Sequence, residues 1–204
     1  MIVFDQRALG IAILFLLGML VTVKQVTAGS ILDKPKGGFL PQLVNIFNLF
    51  FLLVVNPVAA ILMIARRLPT IELAFIAMDK LWLFVAMEIV GLAIYVSGYL
   101  LMAWALVTLG GNYQLGGSAP RSEDKMVMDG PYRLIRHPMY TAALSISLGL
   151  ACLIHAWVLV CVFCIYLLLV LLLIPAEEKE LQRAYSKEYG AYQRKTRGLI
   201  PFVY

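Results

Sequence analysis

The sequence predicts an all-α fold: a polytopic bundle of about five transmembrane helices with an amphipathic helix near the C-terminus. Hydrophobic residues make up 62% of the 204 residues and charged residues 14%, whereas a soluble domain has roughly 45–50% apolar residues. The acids and bases concentrate in two segments, 121–136 and 177–197. Five apolar stretches are long enough to cross a bilayer core, for which about 20 residues are needed. We therefore expect a multi-pass integral membrane protein.

The apolar stretches follow one another along the chain at about 8–27, 40–65, 81–109, 138–154 and 156–174. The first resembles a signal peptide because Arg7 precedes it, but Lys24 interrupts it, so we expect a retained helix. Only the region of His155 separates the last two. They predict a tight helical hairpin, because a long segment of unpaired backbone is too costly in lipid. His155 itself is interpreted as a turn residue near the outer headgroups.

The C-terminal tail predicts a cytoplasmic amphipathic helix from Pro175 to about Tyr192. Proline followed by acidic residues is typical of a helix start, since carboxylates complement the positive end of the helix dipole. Leu181, Tyr185 and other apolar residues then recur at helical spacing. The segment GLIPF (198–202) is apolar enough to dock back onto the bundle.

The distribution of basic residues predicts the orientation and the kind of partner. If the tail is cytoplasmic, that side collects 13 of the 17 Lys and Arg residues, and such a bias marks the inner face. Anionic lipid headgroups account for these cations, so we expect membrane lipids and no nucleic acid as partners. We expect one structural domain, with three membrane helices in 1–109 and a catalytic region in 110–204.

Three polar clusters lie on the same predicted side of the membrane: 110–118, 130–140 and 176–181. The second precedes the helical hairpin and the third follows it. Because the two helices of the hairpin have similar lengths, their cytoplasmic ends should be neighbours. The sequence therefore predicts that Arg136 and His137 lie close to Glu177 and Glu178.

The run GPYRLIRHPMY (130–140) resembles the motif G-P-Y-x-x-x-R-H-P-x-Y of the isoprenylcysteine carboxyl methyltransferase and phospholipid methyltransferase group. Paired acids after an apolar hairpin and the run YGAYQRKTRGLIPF (189–202) also resemble that group. The resemblance covers 110–204. It implies an integral membrane methyltransferase that uses S-adenosylmethionine and acts on a lipid-like or small hydrophobic acceptor at the cytoplasmic face.

The resemblance also implies site residues. Cofactor binding falls on Gly130, Pro131, Tyr132, His137, Pro138, Tyr140, Glu177 and Glu178. The two glutamates would accept hydrogen bonds from the cofactor's ammonium and ribose hydroxyls. Arg136 and His137 are the catalytic candidates: Arg136 would pair with the methionyl carboxylate or with an anionic acceptor, and His137 is a candidate base.

The acceptor is interpreted as neutral or weakly acidic, such as a thiol or a lipid amine. Members that methylate isoprenylcysteine carry basic residues just before the paired acids, whereas here no charge lies between His155 and Glu177. We expect the acceptor to contact Tyr113, Asn48, Asn56, Tyr95 and Tyr99.

The sequence is also compatible with two other functions. Membrane sterol and steroid reductases, which use NADPH, share a related R-H-P-x-Y and tyrosine-rich tail, but typically continue with a cysteine and a tryptophan that this tail lacks. A non-catalytic transporter-like or scaffold bundle is the third reading. No metal is expected, because the three cysteines lie in apolar runs. Glu88, a carboxylate within a membrane helix, is either functional or a hydrogen-bonded structural group.

Overall fold

The computed structural model describes residues 4–29, 38–68, 80–112 and 126–199. Its helices are α1 (Gln6–Ala28), α2 (Phe39–Phe50), α3 (Asn56–Ile64), α4 (Leu81–Leu109), α5 (Pro138–Ile154) and α6 (Trp157–Lys195). A π-helical turn, Phe51–Val55, joins α2 to α3 without a break. The described residues contain no strand beyond one isolated bridge, between Ile135 and Arg197. The predicted all-α membrane bundle is confirmed.

Four helical segments are long and apolar enough to span a bilayer: α1, the continuous α2–α3 unit, α4 with its short extension, and α6. The fifth apolar stretch forms α5, which has 17 residues. At 1.5 Å per residue this helix is about 25 Å long, which is shorter than a hydrocarbon core of about 30 Å. The fifth stretch, which the sequence predicts to cross the membrane, is also shorter than the other four helical segments.

Glycines allow α5 to pack directly against α4. A Cβ atom at Gly98 would lie 2.9 Å from the carbonyl oxygen of Ala142, and one at Gly149 would lie 2.6 Å from the backbone nitrogen of Tyr95. Small residues at such contacts let helix backbones approach closely, which is how membrane helices gain packing energy. The close α4–α5 contact fixes the start of α5.

A buried polar network fastens the π-helical turn to α4. The Asn56 side-chain amide donates to the carbonyl oxygen of Phe51 at 2.8 Å, and its oxygen accepts from the Tyr95 hydroxyl at 2.6 Å. The Tyr99 hydroxyl lies 3.3 Å from that of Tyr95. A π-turn frees backbone groups that need other partners, and Asn56 supplies one.

The tail differs from the prediction in where its helix begins and bends. Pro175 starts no new helix, since α6 runs through it from Trp157 to Lys195. A proline inside a membrane helix removes one hydrogen bond and does not have to end the helix. The irregular backbone instead falls at Ser186, whose φ is 47° and ψ is −114°.

The chain after α6 returns to the bundle as predicted, as far as the structure describes it. Leu199 is buried in a cluster with Val44, Tyr166 and Val170. Residues 200–202 of the GLIPF segment lie outside the described residues.

The hairpin turn is tight and contains His155, as predicted, and the histidine side chain is buried within the bundle. His155 ends α5 in the left-handed conformation, with φ of 57°. Its ring is buried edge-on against Phe84, with ring centroids 5.1 Å apart. Glu88 is fully buried nearby and accepts a hydrogen bond from the backbone nitrogen of Phe4 at 2.9 Å. This contact favours the structural interpretation of Glu88.

Candidate active site

The segment before α5 is bonded to the segment after α6. The backbone nitrogen of Arg136 donates to the carbonyl oxygen of Arg197 at 2.7 Å, and that of His137 donates to Gly198 at 3.1 Å. His137 is the N-cap of α5, and Pro138 occupies its first turn, where the missing N–H of proline costs nothing. These bonds hold the motif and the tail together at one end of the bundle.

A sharp turn at Gly130 begins this segment. Its φ is +55°, and a Cβ atom there would lie 2.5 Å from the Thr108 hydroxyl on α4. A larger residue would be strained in both conformation and space. Pro131 and Tyr132 follow in a 3-10 turn and are buried, and the Tyr192 hydroxyl donates to the Tyr132 carbonyl oxygen at 2.6 Å. Gly130 and Pro131 thus shape the backbone of the site.

Arg136 and Glu178 form a largely buried ion pair. Arg136 Nε lies 2.6 Å from Glu178 Oε1, and the two side chains are 13% and 16% exposed. Arg136 Nη1 donates to the carbonyl oxygens of Thr196 at 2.6 Å and Gln193 at 3.3 Å. Glu178 Oε2 accepts from Gln193 Nε2 at 3.0 Å. The pair therefore links the motif to α6 and to the residues after it.

The ionisation of Glu178 follows from these partners. Burial alone would raise the pKa of its carboxyl group, but hydrogen bonds from His137 and Arg136, together with the charge of the Arg136 guanidinium, outweigh burial and lower the pKa to about 2. Glu178 is therefore ionised at neutral pH, with both oxygens engaged.

His137 lies between the two glutamates. Its Nε2 is 3.3 Å from Glu178 Oε1, and its Nδ1 is 3.6 Å from Glu177 Oε2. The ring stacks beside Tyr140, with centroids 5.8 Å apart. Glu177 Oε2 is buried, and no described residue makes a hydrogen bond to it. The predicted proximity of Arg136 and His137 to the glutamates is confirmed. Glu177 Oε2 is the buried carboxylate oxygen of this cluster that accepts no hydrogen bond from a described residue.

One cavity of about 310 Å³ opens onto this cluster. Its motif and tail walls include Tyr132, Arg136, His137, Pro138, Tyr140, Glu177, Tyr185, Tyr189 and Tyr192. Its bundle walls include Lys24, Asn45, Phe47, Asn48, Leu52, Met102 and Leu106. Ionisable residues of the motif and tail thus line the same cavity as apolar residues of the bundle.

The structure brings together some of the predicted site residues and separates others. Asn48 lines the cavity with the motif, whereas Asn56, Tyr95 and Tyr99 do not line it, because their polar groups bond to one another between helices. Tyr113 lies outside the described residues.

Sequence reasoning did not single out Lys24 or Tyr189 for this site, and both line the cavity. Lys24 attracted notice only as a charge in an apolar stretch. Tyr189 attracted notice through the helical spacing of the tail and as the first residue of the run 189–202 that resembles the family, but it was given no role in the site. The available signal was the spacing of Tyr185, Tyr189 and Tyr192 on one helix, which indicates a shared face but does not say what that face meets.

The bundle, with ionisable groups clustered at one end of it, is that of an integral membrane protein. Residues 86–188 match the family described as PEMT, phospholipid methyltransferase. The chain belongs to the phospholipid methyltransferase family and is an integral membrane methyltransferase. The family does not favour the reductase alternative.

The fold is similar to that of a solved structure, the eukaryotic intramembrane Ras methyltransferase ICMT (isoprenylcysteine carboxyl methyltransferase). The TM-score is 0.52 with 16% sequence identity, over 95% of this chain and 85% of that chain. At this identity the similarity concerns the fold. No curated protein matches the chain.

Proposed function

We propose that the protein transfers the methyl group of S-adenosylmethionine to a lipid-like or small hydrophobic acceptor at the cytoplasmic membrane face. The observation that carries this proposal is a cavity that Glu177 shares with apolar residues of the bundle such as Phe47, Leu52 and Met102. A charged cofactor can occupy its polar end and a greasy acceptor its apolar end. The excess of Lys and Arg on the side of the tail supports the cytoplasmic placement.

The residues at the polar end fit the cofactor. Glu177 Oε2 is a buried acceptor that receives no hydrogen bond from a described residue, with His137 Nδ1 3.6 Å away, and buried acceptors without a hydrogen bond are rare in native proteins. The ammonium group or a ribose hydroxyl of the cofactor would supply the missing donor. The bound cofactor supplies the reactive methyl sulfonium, and the protein supplies binding, orientation and exclusion of water.

The two glutamates take different roles in this proposal. Glu178 is committed to Arg136, His137 and Gln193, so it positions the motif. Glu177 has the free acceptor oxygen and contacts the cofactor. Tyr132, Pro138 and Tyr140 line the same cavity and provide surface against which the nucleoside packs.

Methyl transfer requires the acceptor atom to be deprotonated and aligned with the bond between sulfur and methyl carbon. His137 is the candidate base, because its ring is buried on the cavity wall and its orientation is set by Glu178. Its Nε2 faces Glu178 and its Nδ1 faces Glu177. With Nε2 hydrogen-bonded to Glu178, Nδ1 would take the proton from the acceptor, and the resulting imidazolium would be stabilised by the adjacent carboxylates.

The proposed acceptor is a lipid amine or a thiol, in preference to a carboxylate. Arg136, the motif cation that would meet a carboxylate, is held by Glu178 and by two carbonyl oxygens. Lys24 places a second cation on the cavity wall. Its charge suits the phosphate of a lipid whose amine receives the methyl group.

The test is a tritiated-methyl assay with three acceptors: an aminophospholipid, a hydrophobic thiol and a prenylcysteine. We expect transfer to the amine or the thiol. If the amine is the acceptor, Lys24→Gln should raise its KM and leave the KM for a neutral thiol unchanged. Robust esterification of the prenylcysteine, with little transfer to the other two, would contradict the proposed acceptor class.

A further inference from the structure

We propose that Tyr189 is a cofactor-binding residue whose phenol O–H donates a hydrogen bond to the carboxylate of the cofactor's amino-acid end, while Glu177 accepts from the adjacent ammonium. This inference rests on the proposed function and deepens it. It assigns a ligand group to a residue of the tail that lies outside the R-H-P-x-Y motif and the glutamate pair.

Tyr189 has an unmet hydrogen bond inside the cavity. The residue is 2% exposed and lines the cavity, and its hydroxyl oxygen makes no hydrogen bond to any described residue. The same holds for Glu177 Oε2 on the same cavity wall. Asn45 Nδ2 and the Tyr166 hydroxyl are two further buried atoms of the cavity lining without a hydrogen bond in the described part of the chain, and such atoms are expected where a ligand completes their hydrogen bonds.

The neighbouring tyrosine shows the opposite case. The rings of Tyr189 and Tyr192 have centroids 6.0 Å apart, and both side chains line the cavity. The Tyr192 hydroxyl already donates to the Tyr132 carbonyl oxygen at 2.6 Å. Of the two tyrosines, Tyr189 is therefore the one whose hydroxyl lacks a hydrogen bond within the described part of the protein. Tyr192 provides a control for its substitution.

The Tyr189 hydroxyl acts as a donor at neutral pH. Burial first, and then the negative charge of Glu178, raise the pKa of this phenol, so it keeps its proton. A neutral phenol placed in the field of this charged cluster can donate to an anionic ligand group in a charge-assisted hydrogen bond.

Arg136 cannot bind that carboxylate through two free nitrogens of its guanidinium group. A guanidinium grips a carboxylate through two adjacent nitrogens. Arg136 Nε is bonded to Glu178, and Nη1 is bonded to the carbonyl oxygens of Thr196 and Gln193. Each edge of the guanidinium that could form a fork includes one of these two nitrogens. The methionyl carboxylate thus needs another donor, and the Tyr189 hydroxyl is available on the cavity wall.

The amino-acid end of the cofactor matches Glu177 Oε2 and the Tyr189 hydroxyl. It carries an ammonium donor and a carboxylate acceptor on one carbon atom, so Glu177 and Tyr189 can each take one of them. Removal of the carboxylate alone should therefore abolish the contribution of Tyr189 and spare that of Glu177.

The experiment measures the affinity of S-adenosylmethionine and of decarboxylated S-adenosylmethionine, which keeps the amine and the sulfonium. Titrations use the purified full chain and its Tyr189→Phe variant. We expect Tyr189→Phe to weaken S-adenosylmethionine roughly 10- to 100-fold, as for a lost hydrogen bond to a charged group, and to change the affinity of the decarboxylated ligand less than about twofold. Glu177→Gln should weaken both ligands.

Tyr192→Phe is the matched control. It removes a hydroxyl of the same kind that is bonded within the protein, so it should lower the melting temperature of the ligand-free protein and leave the ratio of the two affinities unchanged. Tyr189→Phe should not lower that melting temperature, because it removes an unpaired buried group.

Equal losses for both ligands in Tyr189→Phe, or no loss, would overturn the assignment of Tyr189 while leaving the proposed function intact. A drop in its ligand-free melting temperature as large as that of Tyr192→Phe would overturn the assignment too. Failure of the unmodified protein to bind either ligand would overturn the proposed function itself.

Discussion

Glu178→Gln should strongly destabilise the protein, although the substitution keeps the shape of the side chain. The Glu178 carboxylate is bonded to Arg136 at 2.6 Å, to Gln193 at 3.0 Å and to His137 at 3.3 Å. An amide cannot balance the charge of Arg136, which would stay largely buried without a counter-ion. Removal of one partner of a buried ion pair typically costs about 3–5 kcal/mol.

The pKa of Glu178 supports a magnitude at the lower end of that range. A pKa lowered from 4.5 to about 2 corresponds to about 3 kcal/mol of stabilisation of the ionised form in the folded state. Because the folded-state pKa is the lower one, this contribution is present in full above the unfolded-state value of about 4.5. It is lost as the pH falls from there to about 2.

The assay is thermal or denaturant unfolding of the purified protein in detergent, measured between pH 7 and pH 2. We expect the unmodified protein to lose stability progressively below about pH 4.5 and Glu178→Gln to lose less over the same window, starting from a lower value at pH 7. Other carboxyl groups titrate in this range, so the difference between the two curves is the quantity to compare.

An exposed ion pair on the same helix provides the control. Arg183 and Glu180 are paired, with side chains 63% and 41% exposed, and exposed pairs contribute about 0–1 kcal/mol. Glu180→Gln should therefore change stability by less than about 1 kcal/mol. Equal effects of Glu178→Gln and Glu180→Gln at pH 7 would refute the reasoning.

Three further results are expected. Gly130→Ala should destabilise the protein by about 2–3 kcal/mol in denaturant unfolding, because Gly130 has a φ of +55° and no space for a Cβ atom beside Thr108; an unchanged midpoint would contradict this. Tyr95→Phe should lower stability by about 0.5–1.5 kcal/mol through loss of its bond to Asn56, and a stability gain would argue against that network. In a cysteine-free background in intact cells, an impermeant thiol reagent should label Lys80→Cys and spare Lys187→Cys; the reverse pattern would place the site outside.

Much of the site was predictable because it follows from topology. The hairpin of α5 and α6 turns at His155, so the start of α5 at His137 had to meet the end of the apolar part of α6, near Glu177. This inference needed only the lengths of two apolar stretches and the cost of unpaired backbone in lipid.

The division of labour between the glutamates was not predictable in the same way. Adjacent carboxylates look equivalent in sequence, but on a helix they point about 100° apart. One is held by Arg136 and Gln193, and the other faces the cavity. Which is which depends on the rotation of α6 and on the return of the tail, and both are set by tertiary packing.

Tertiary packing also explains why the structure differs from the predictions about the start of the tail helix and about the residues expected to contact the acceptor. Local preferences favour a helix start at Pro175, yet the apolar helix continues through it because its packed face holds it in place. Tyr95 and Asn56 were expected to contact the acceptor because they are polar groups in membrane helices. The structure shows that they bond to each other, a pairing that sequence spacing alone does not reveal.

The central claim is that Glu177 and its cavity hold S-adenosylmethionine, and calorimetric titration of the purified protein with S-adenosylhomocysteine tests it most directly. We expect saturable binding to the unmodified protein, a loss of about 1–3 kcal/mol of binding free energy in Glu177→Gln, and no binding of NADPH. Binding of NADPH without binding of S-adenosylhomocysteine, or unchanged affinity in Glu177→Gln, would contradict the account.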